Sequence, residues 1–368
     1  MDSVLDRTIS DFEMIVVEDV PLIDVRAPVE FLTGAIPGAR NLPLMDDEQR
    51  HRVGKCHKQN GPEAAVRLGY KLVSGDIKKE RVTAWRSFLA DCPDACLYCS
   101  RGGLRSKIAG DWIFADTGKS VARLQGGYKA FRNYLLEHLR PVWLRSQPII
   151  LGGRTGSGKT TLLAELENAV DLEKLAHHRG SSFGQFLTPQ PGQADFENRL
   201  ACALIKHEAQ GFSSLVLEDE GRHIGKRFLP KELSGYFSSG SLVILETPLP
   251  ERTHNTFAEY VVTAQAEYEA EYGQKNGRER WFAGMNLSVE RIGKRLGGSL
   301  LRQVKKLLED AHEHQTRTGS SELHKQWIEL LLREYYDPMY DYQIEEKRKS
   351  IVFTGDAAAV FGYLQVKK

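Results

Sequence analysis

The chain has 368 residues, 41% of them hydrophobic and 27% charged, with a formal net charge of +1. That length exceeds one ordinary hydrophobic core, so two domains are expected, each able to bury its own. The near-zero charge excludes a global field for nucleic acid, which leaves local basic patches, and no apolar run approaches the roughly 18 residues of a membrane helix.

The opening MDSVLDRTISDFEM lacks the basic-then-apolar order of a signal peptide, which predicts a cytoplasmic protein without a membrane partner. In that compartment the five cysteines are expected to be thiols. PLIDVRA (21–27) and ACLYC (95–99) read as buried strands. SKIAGDWIFADTG (106–118) has helical spacing and a glycine stop, VARLQGG (121–127) reads as strand and turn, and YKAFRNYLLEHL (128–139) as a closing helix. Strands alternating with helices predict a parallel sheet. RPVWLRSQP (140–148) carries prolines at both ends and fits a linker. Further strands are expected at FSSLVLEDE (212–220), GSLVILETP (240–248) and IVFTGD (351–356), with mostly helical, charge-rich sequence between the last two. The expected organisation is a first α/β domain at 1–139, a linker at 140–147, a P-loop α/β domain at 148–255, and a mostly helical region at 256–368 packed on the P-loop domain.

Gly153-Arg154-Thr155-Gly156-Ser157-Gly158-Lys159-Thr160 matches G-x-x-x-x-G-K-[ST], with a strand pattern before it and a helix pattern after it. The glycines let backbone amides wrap a phosphate, Lys159 adds a full charge, and Thr160 is placed to reach Mg2+. Glu218 and Asp219, at the end of the 215–220 strand, are candidates for holding the metal or a water. The loop recognises phosphate and not adenosine, so the diphosphate ester of another group satisfies the same donors.

Residues 96–106, CLYCSRGGLRS, admit three readings. Cys92, Cys96 and Cys99 have the C-x3-C-x2-C spacing of a cluster-binding triad, but strand alternation turns Cys96 away from the loop that Cys99 opens, and no structural metal is expected. Cys99 to Ser106 also satisfies the phosphatase pattern C-x5-R-[ST], although Tyr98 stands where that pattern carries histidine and no general-acid aspartate is evident. The third reading is chalcogen transfer. Arg101, Gly102, Gly103, Arg105 and Ser106 would form an anion bowl that favours the Cys99 thiolate and a sulfur or selenium adduct.

Upstream, Ile23-Asp24-Val25-Arg26, Glu30-Phe31, Gly34-Ala35-Ile36-Pro37-Gly38-Ala39 and Asn41-Leu42-Pro43 resemble the start of a rhodanese domain, and Leu124-Gln125-Gly126-Gly127-Tyr128 resembles its end. In that family the cysteine at the position of Cys99 is the nucleophile; Asp24 and Arg26 read as a structural pair. The whole chain is similar to the bacterial tRNA 2-selenouridine synthases, through Asn41-Leu42-Pro43-Leu44-Met45, the phosphate loop, Asp171-Leu172-Glu173, His177-His178-Arg179-Gly180-Ser181-Ser182, Phe196-Glu197-Asn198, Leu217-Glu218-Asp219-Glu220 and Glu334-Tyr335-Tyr336-Asp337-Pro338-Met339-Tyr340. The resemblance implies a transferase that alkylates the sulfur of a wobble 2-thiouridine in tRNA with geranyl diphosphate, then replaces S-geranyl with selenium from selenophosphate. It also implies Mg2+ at the diphosphate and a selenophosphate-producing enzyme as a further partner.

The residues alone leave the tRNA and substrate contacts open. His177, His178, Arg179 and Ser181 lie in a polar turn suited to the diphosphate or the anticodon loop, or to an ordinary surface. Arg291, Lys294 and Arg295, with Arg302, Lys305 and Lys306, suit tRNA phosphates or a solvated helical face. Tyr335, Tyr336 and Tyr340 suit base stacking or a core. A rival function is a P-loop NTPase regulator with a redox- or phosphate-sensing N-terminal domain; a phosphatase–kinase fusion is another.

Overall fold

The structure is a computed structural model, and it describes residues 7–367 apart from 182, 185 and 347. It divides into two compact units, one of residues 1–143 and 192–209, the other of 144–191 and 210–368.

The N-terminal unit is built on five parallel strands, β1 (Thr8–Ile9), β2 (Leu22–Asp24), β3 (Arg40–Asn41), β4 (Cys96–Tyr98) and β5 (Arg123–Leu124), in the order β1-β5-β4-β2-β3. Strand β4 is central and buried at every residue, as its unbroken apolar run requires of a strand covered on both faces. Ile23, Val25, Leu97, Cys99, Ile113 and Trp85 share one core cluster. The helix over Leu104–Thr117 ends at Gly118 in the left-handed conformation (φ 70°), the glycine stop that the sequence predicts. The stretch Asp47–Leu72 is two helices joined by a kink at Gly61, whose φ of 83° only glycine adopts without strain; Pro62 opens the second half.

The helix over Gln193–Ala209 differs from expectation. The sequence places it inside the P-loop segment 148–255, yet it belongs to the N-terminal unit. Its apolar face (Phe196, Leu200, Ala201, Leu204) is buried. Asp195 accepts from the Ala35 amide at 2.9 Å, Asn198 donates to the Ala35 carbonyl at 2.7 Å, and Glu197 pairs with Arg132. Amphipathic periodicity announces a buried face but does not name the surface that buries it.

The second unit carries four parallel strands, β6 (Gln147–Gly152), β7 (Ser214–Glu218), β10 (Ser241–Leu245) and β11 (Ile351–Gly355), in the order β11-β10-β6-β7, with a small antiparallel hairpin of β8 (His223–Ile224) and β9 (Arg227–Phe228). The late strand predicted at 351–356 is thus an edge of the P-loop sheet. The basic residues Arg291, Lys294 and Arg295 fall on one helix, Gln274–Leu296, and Arg302, Lys305 and Lys306 on the next, Gly298–Thr318, separated by Gly297 at φ 77°. Trp281, Val289, Val304, Leu308 and Trp327 are core of this helical region.

Candidate functional site

In the N-terminal unit the chain leaves β4, turns through Ser100–Gly103 and enters the helix at Leu104. The turn is held from below by the Gly126-Gly127-Tyr128 segment. The amides of Tyr128 and Lys129 donate to the carbonyls of Cys99 and Ser100, each at 2.9 Å. The two backbones touch, so a side chain at Gly102 would sit 2.7 Å from the Leu124 carbonyl oxygen, and one at Gly127 would overlap Cys99 and Gly102. Both glycines also have positive φ. The pair at 126–127 is therefore the floor of the cysteine loop, a role that its distance along the chain conceals.

Cys99 is buried, with its Sγ 3.4 Å from Ser106 Oγ. Burial pushes the thiol up. Hydrogen bonds from the Ser106 hydroxyl and from the amides of Ser106 and Arg101, with the charge of Arg105, outweigh it and hold Cys99 below the ordinary thiol value. Cys96 is also buried but lacks such donors, and burial pushes its thiol up to about 11. Among the described residues no three His, Cys, Asp or Glu side chains converge as a metal-binding group, which leaves the Cys92–Cys96–Cys99 triad apart.

The two arginines of the loop behave differently. Arg105 forms a bidentate pair with Glu30 (2.6 and 3.2 Å) and donates to Ser100 Oγ at 2.8 Å, so its guanidinium braces the loop instead of projecting alone into the anion bowl. Arg101 is exposed and makes no ion pair among the described residues. Asp24 and Arg26 form a buried pair at 2.6 Å, with Arg26 also on the Gly34 carbonyl and over the Tyr128 ring. That geometry matches their structural reading.

In the second unit, Gly153, Thr155, Gly156, Ser157, Gly158, Lys159 and Thr160 follow β6 and line a cavity of about 590 Å³, whereas Arg154, expected among the phosphate ligands, is off that lining and pairs with Asp341. Gly153, Gly156 and Gly158 all have positive φ, and a side chain at Gly156 would strike the Arg252 carbonyl. Lys159 Nζ donates to the Gly153 carbonyl at 2.8 Å. The loop is strapped from outside: Asn255 donates to the Gly156 carbonyl at 3.0 Å, and Thr247 to the Ser157 carbonyl at 2.9 Å. The buried guanidinium of Arg252 forms two bonds to Asp337, 2.7 and 2.8 Å. This pair ties the Tyr335–Tyr340 segment beside the loop, and neither Arg252 nor Asn255 stands out in the sequence.

One wall is made of Tyr260, Tyr335, Tyr336, Met339 and Tyr340, with the Tyr340 ring 5.9 Å from Lys159 Nζ, and Arg179, Ser181 and Arg295 lie at other points of the lining. Two π-helical turns, Ala258–Thr263 and Leu332–Tyr336, contribute to it. Such turns place side chains that a regular helix would bury or expose. Arg179 is paired with Glu259 at 2.9 Å, and Ser181 Oγ lies 2.9 Å from the Tyr260 hydroxyl. His177 and His178 do not line the cavity. His177 bonds Thr188 and stacks on Phe186, while His178 Nδ1 accepts from the Gly180 amide. Ser182 lies outside the described residues. Arg291 and Lys294 are exposed on the same helix as Arg295 but off the cavity.

The acidic residues also separate. Glu218 is buried and accepts from the Leu172 amide at 3.0 Å, so it holds the start of the helix Leu172–Ala176. Asp219, Glu173 and Glu220 line the cavity. Glu173 and Glu220 are hydrogen-bonded to each other, and burial, followed by the neighbouring charge, holds Glu173 well above the usual carboxylate range. A side chain at Gly180 would collide with this pair.

Residues 12–134 match the family model of the rhodanese-like domain, and residues 146–368 match that of the tRNA 2-selenouridine synthase AAA domain. A tRNA 2-selenouridine synthase of Sulfurovum sp. is 52% identical over 97% of both chains. That of Hydrogenovibrio crunogenus is 51% identical over 96% of this chain and 97% of its own. That of Pseudomonas putida strain W619 is 45% identical over 97% and 98%. The chain belongs to the tRNA 2-selenouridine synthase family. In this member of the family the rhodanese-like unit carries the thiol and the second unit carries the phosphate loop. No helix of the described residues is long and apolar enough to cross a membrane.

Proposed function

We propose that the protein works in two steps on the wobble 2-thiouridine of tRNA, in the cytoplasm. In the first, the sulfur attacks the first carbon of geranyl diphosphate. The S–C bond forms, the C–O bond breaks, the base releases its N3 proton, and diphosphate leaves with the electron pair. Lys159 and the amides of Gly153–Thr160 receive the charge that develops on the leaving group. In the second step, the selenium of selenophosphate adds at C2 of the base and the C2–S bond breaks. Geranyl thiol departs with a proton, and the phosphoryl group passes to water. Cys99 and the loop of Arg101, Gly102, Gly103 and Ser106 serve this step, with a selenophosphate-producing enzyme supplying the donor.

The observation that carries this reading is the pairing of two unlike cradles in one chain. One ends in a thiol held below its ordinary pKa. The other sets a phosphate loop beside a wall of tyrosines and Met339. An apolar diphosphate ester fits phosphate donors next to such a wall. The cavity lining also carries Glu173, Asp219 and Glu220, so a diphosphate there needs a cation. Thr160 and Asp219 offer the hard oxygen donors of Mg2+, which ordinarily takes one or two protein ligands and completes its shell with phosphate oxygens and water. When bound, Mg2+ would neutralise charge on the departing diphosphate.

The test is mass spectrometry of nucleosides from 2-thiouridine tRNA incubated with pure protein. S-geranyl-2-thiouridine is expected with geranyl diphosphate and Mg2+, and 2-selenouridine once selenophosphate is added. Unchanged thiouridine in both, with hydrolysis of ATP or GTP, would replace this reading with the NTPase regulator.

A further inference from the structure

A second cavity, of about 710 Å³, opens inside the N-terminal unit, within the size range of small-molecule pockets. It is walled by both halves of the kinked stretch Asp47–Leu72 and by the helix Leu104–Thr117. The lining is apolar: Val53, Val66, Tyr70, Leu104, Ile108 and Trp112. Glu30 and Arg105, the pair that braces Ser100 beside Cys99, also line it. Cys99 itself packs in the apolar cluster that includes Val53, Ile108 and Trp112. The rim has the opposite character. It carries Arg50, His51, Lys55, His57 and Lys58, all five exposed; Arg50 lies 3.7 Å from Glu30, and Asp46, Asp47 and Glu48 precede the 50–58 stretch.

An apolar chamber next to a reactive thiol, under a cationic rim, is complementary to an anionic oligonucleotide bearing an apolar appendage. We propose that this cavity receives the prenyl chain of the S-geranylated base during selenium transfer, while the 50–58 stretch holds the adjoining tRNA phosphates. The assignment rests on the two-step reading above, because only an alkylated intermediate carries such a chain to Cys99. It gives the second step an apolar site of its own, separate in kind from the tyrosine wall at the phosphate loop, and the departing geranyl thiol is housed where it leaves. Phosphate contacts along 50–58 would make binding of this intermediate depend on salt.

The experiment uses the full-length protein and tRNA whose S-prenyl chain ends in a diazirine. After photolysis, peptide mass spectrometry should find the label within 53–73 and 104–112, competed by S-geranyl-2-thiouridine tRNA and not by unmodified tRNA. Label confined to 335–340, or none, would overturn the assignment. In kinetics, Val66→Trp fills the chamber and Leu104→Gln makes its wall polar without adding bulk. Each should raise KM for S-geranyl tRNA in the selenium step by about tenfold or more, with the smaller change in kcat. Unchanged KM in both folded variants would count against it. Wild-type protein that makes no selenouridine from S-geranyl tRNA would sink the two-step reading itself. Selenouridine formation without label in the cavity would sink only the placement of the chain.

Discussion

The cysteine loop and the phosphate loop are two versions of one device. Each follows an interior strand of a parallel sheet, turns through glycine at positive φ (Gly102 in one; Gly153, Gly156 and Gly158 in the other) and enters a helix. Parallel sheets put their ligand sites at the carboxyl ends of strands, where converging amides are free to meet an anion. The two loops differ in what stands among those amides. At 99–106 it is a thiol, whose ionisation the amides and Ser106 favour. At 153–160 it is the ammonium group of Lys159, with the carboxylates Glu173, Asp219 and Glu220 in the same cavity lining. The first arrangement favours a nucleophile or a chalcogen adduct, and the second a departing phosphate group accompanied by a cation.

If that contrast is right, the two activities should separate cleanly. The largest effect is expected from exchanging the reactive groups for alanine. Lys159→Ala should lower geranylation by about a hundredfold or more, the order found when one charge-stabilising donor is removed, while selenium transfer to tRNA already geranylated persists. Cys99→Ala should abolish selenium transfer and let S-geranyl-2-thiouridine accumulate, followed by nucleoside mass spectrometry. Loss of both activities in either variant would break the division of labour.

Next is the strap that belongs to the phosphate loop alone. Arg252→Ala removes two charge-assisted bonds to the half-buried Asp337 and should cost about 1.5–3 kcal/mol, read by chemical denaturation. Geranylation should fall with it, because the Tyr335–Tyr340 wall loses its tether.

A smaller change should come from Ser106→Ala. The hydroxyl is the strongest of the groups that hold the Cys99 thiol low, so its loss raises the pKa. Selenium transfer should then fall near neutrality and recover as pH rises and the thiolate forms. A titration of thiolate ultraviolet absorbance, against Cys99→Ala as blank, reads the shift directly. An unmoved titration would assign the low pKa to the loop amides alone. The smallest effect is expected from Arg291→Ala and Lys294→Ala, exposed cations off the cavity. If they touch phosphate, each should reduce the salt slope of tRNA binding by about one. Unchanged binding would leave them a solvated face.

Residues close in sequence gave the clearest signals. The glycine spacings of both loops, the strands that lead into them and the left-handed stop at Gly118 were legible because they depend on local backbone geometry. Glu218 and Asp219 are adjacent in a strand, and sequence alone left them equivalent; folding buries Glu218 against Leu172 and turns Asp219 to the cavity. Arg105 reads as an anion ligand from spacing, and only the fold brings Glu30 across to take it.

By itself, then, the sequence determined two α/β units and two glycine loops holding Cys99 and Lys159, since each is encoded in a short run whose conformation is set by its own glycines and periodicity. The tertiary structure decided the partners: Gly127 under Cys99, Arg252 on Asp337, the helix Gln193–Ala209 in the N-terminal unit, and the kinked helix that encloses the second cavity. Those pairings join residues far apart in the chain. They are selected by which apolar faces and buried charges find complements when the core closes, and no local pattern records that choice.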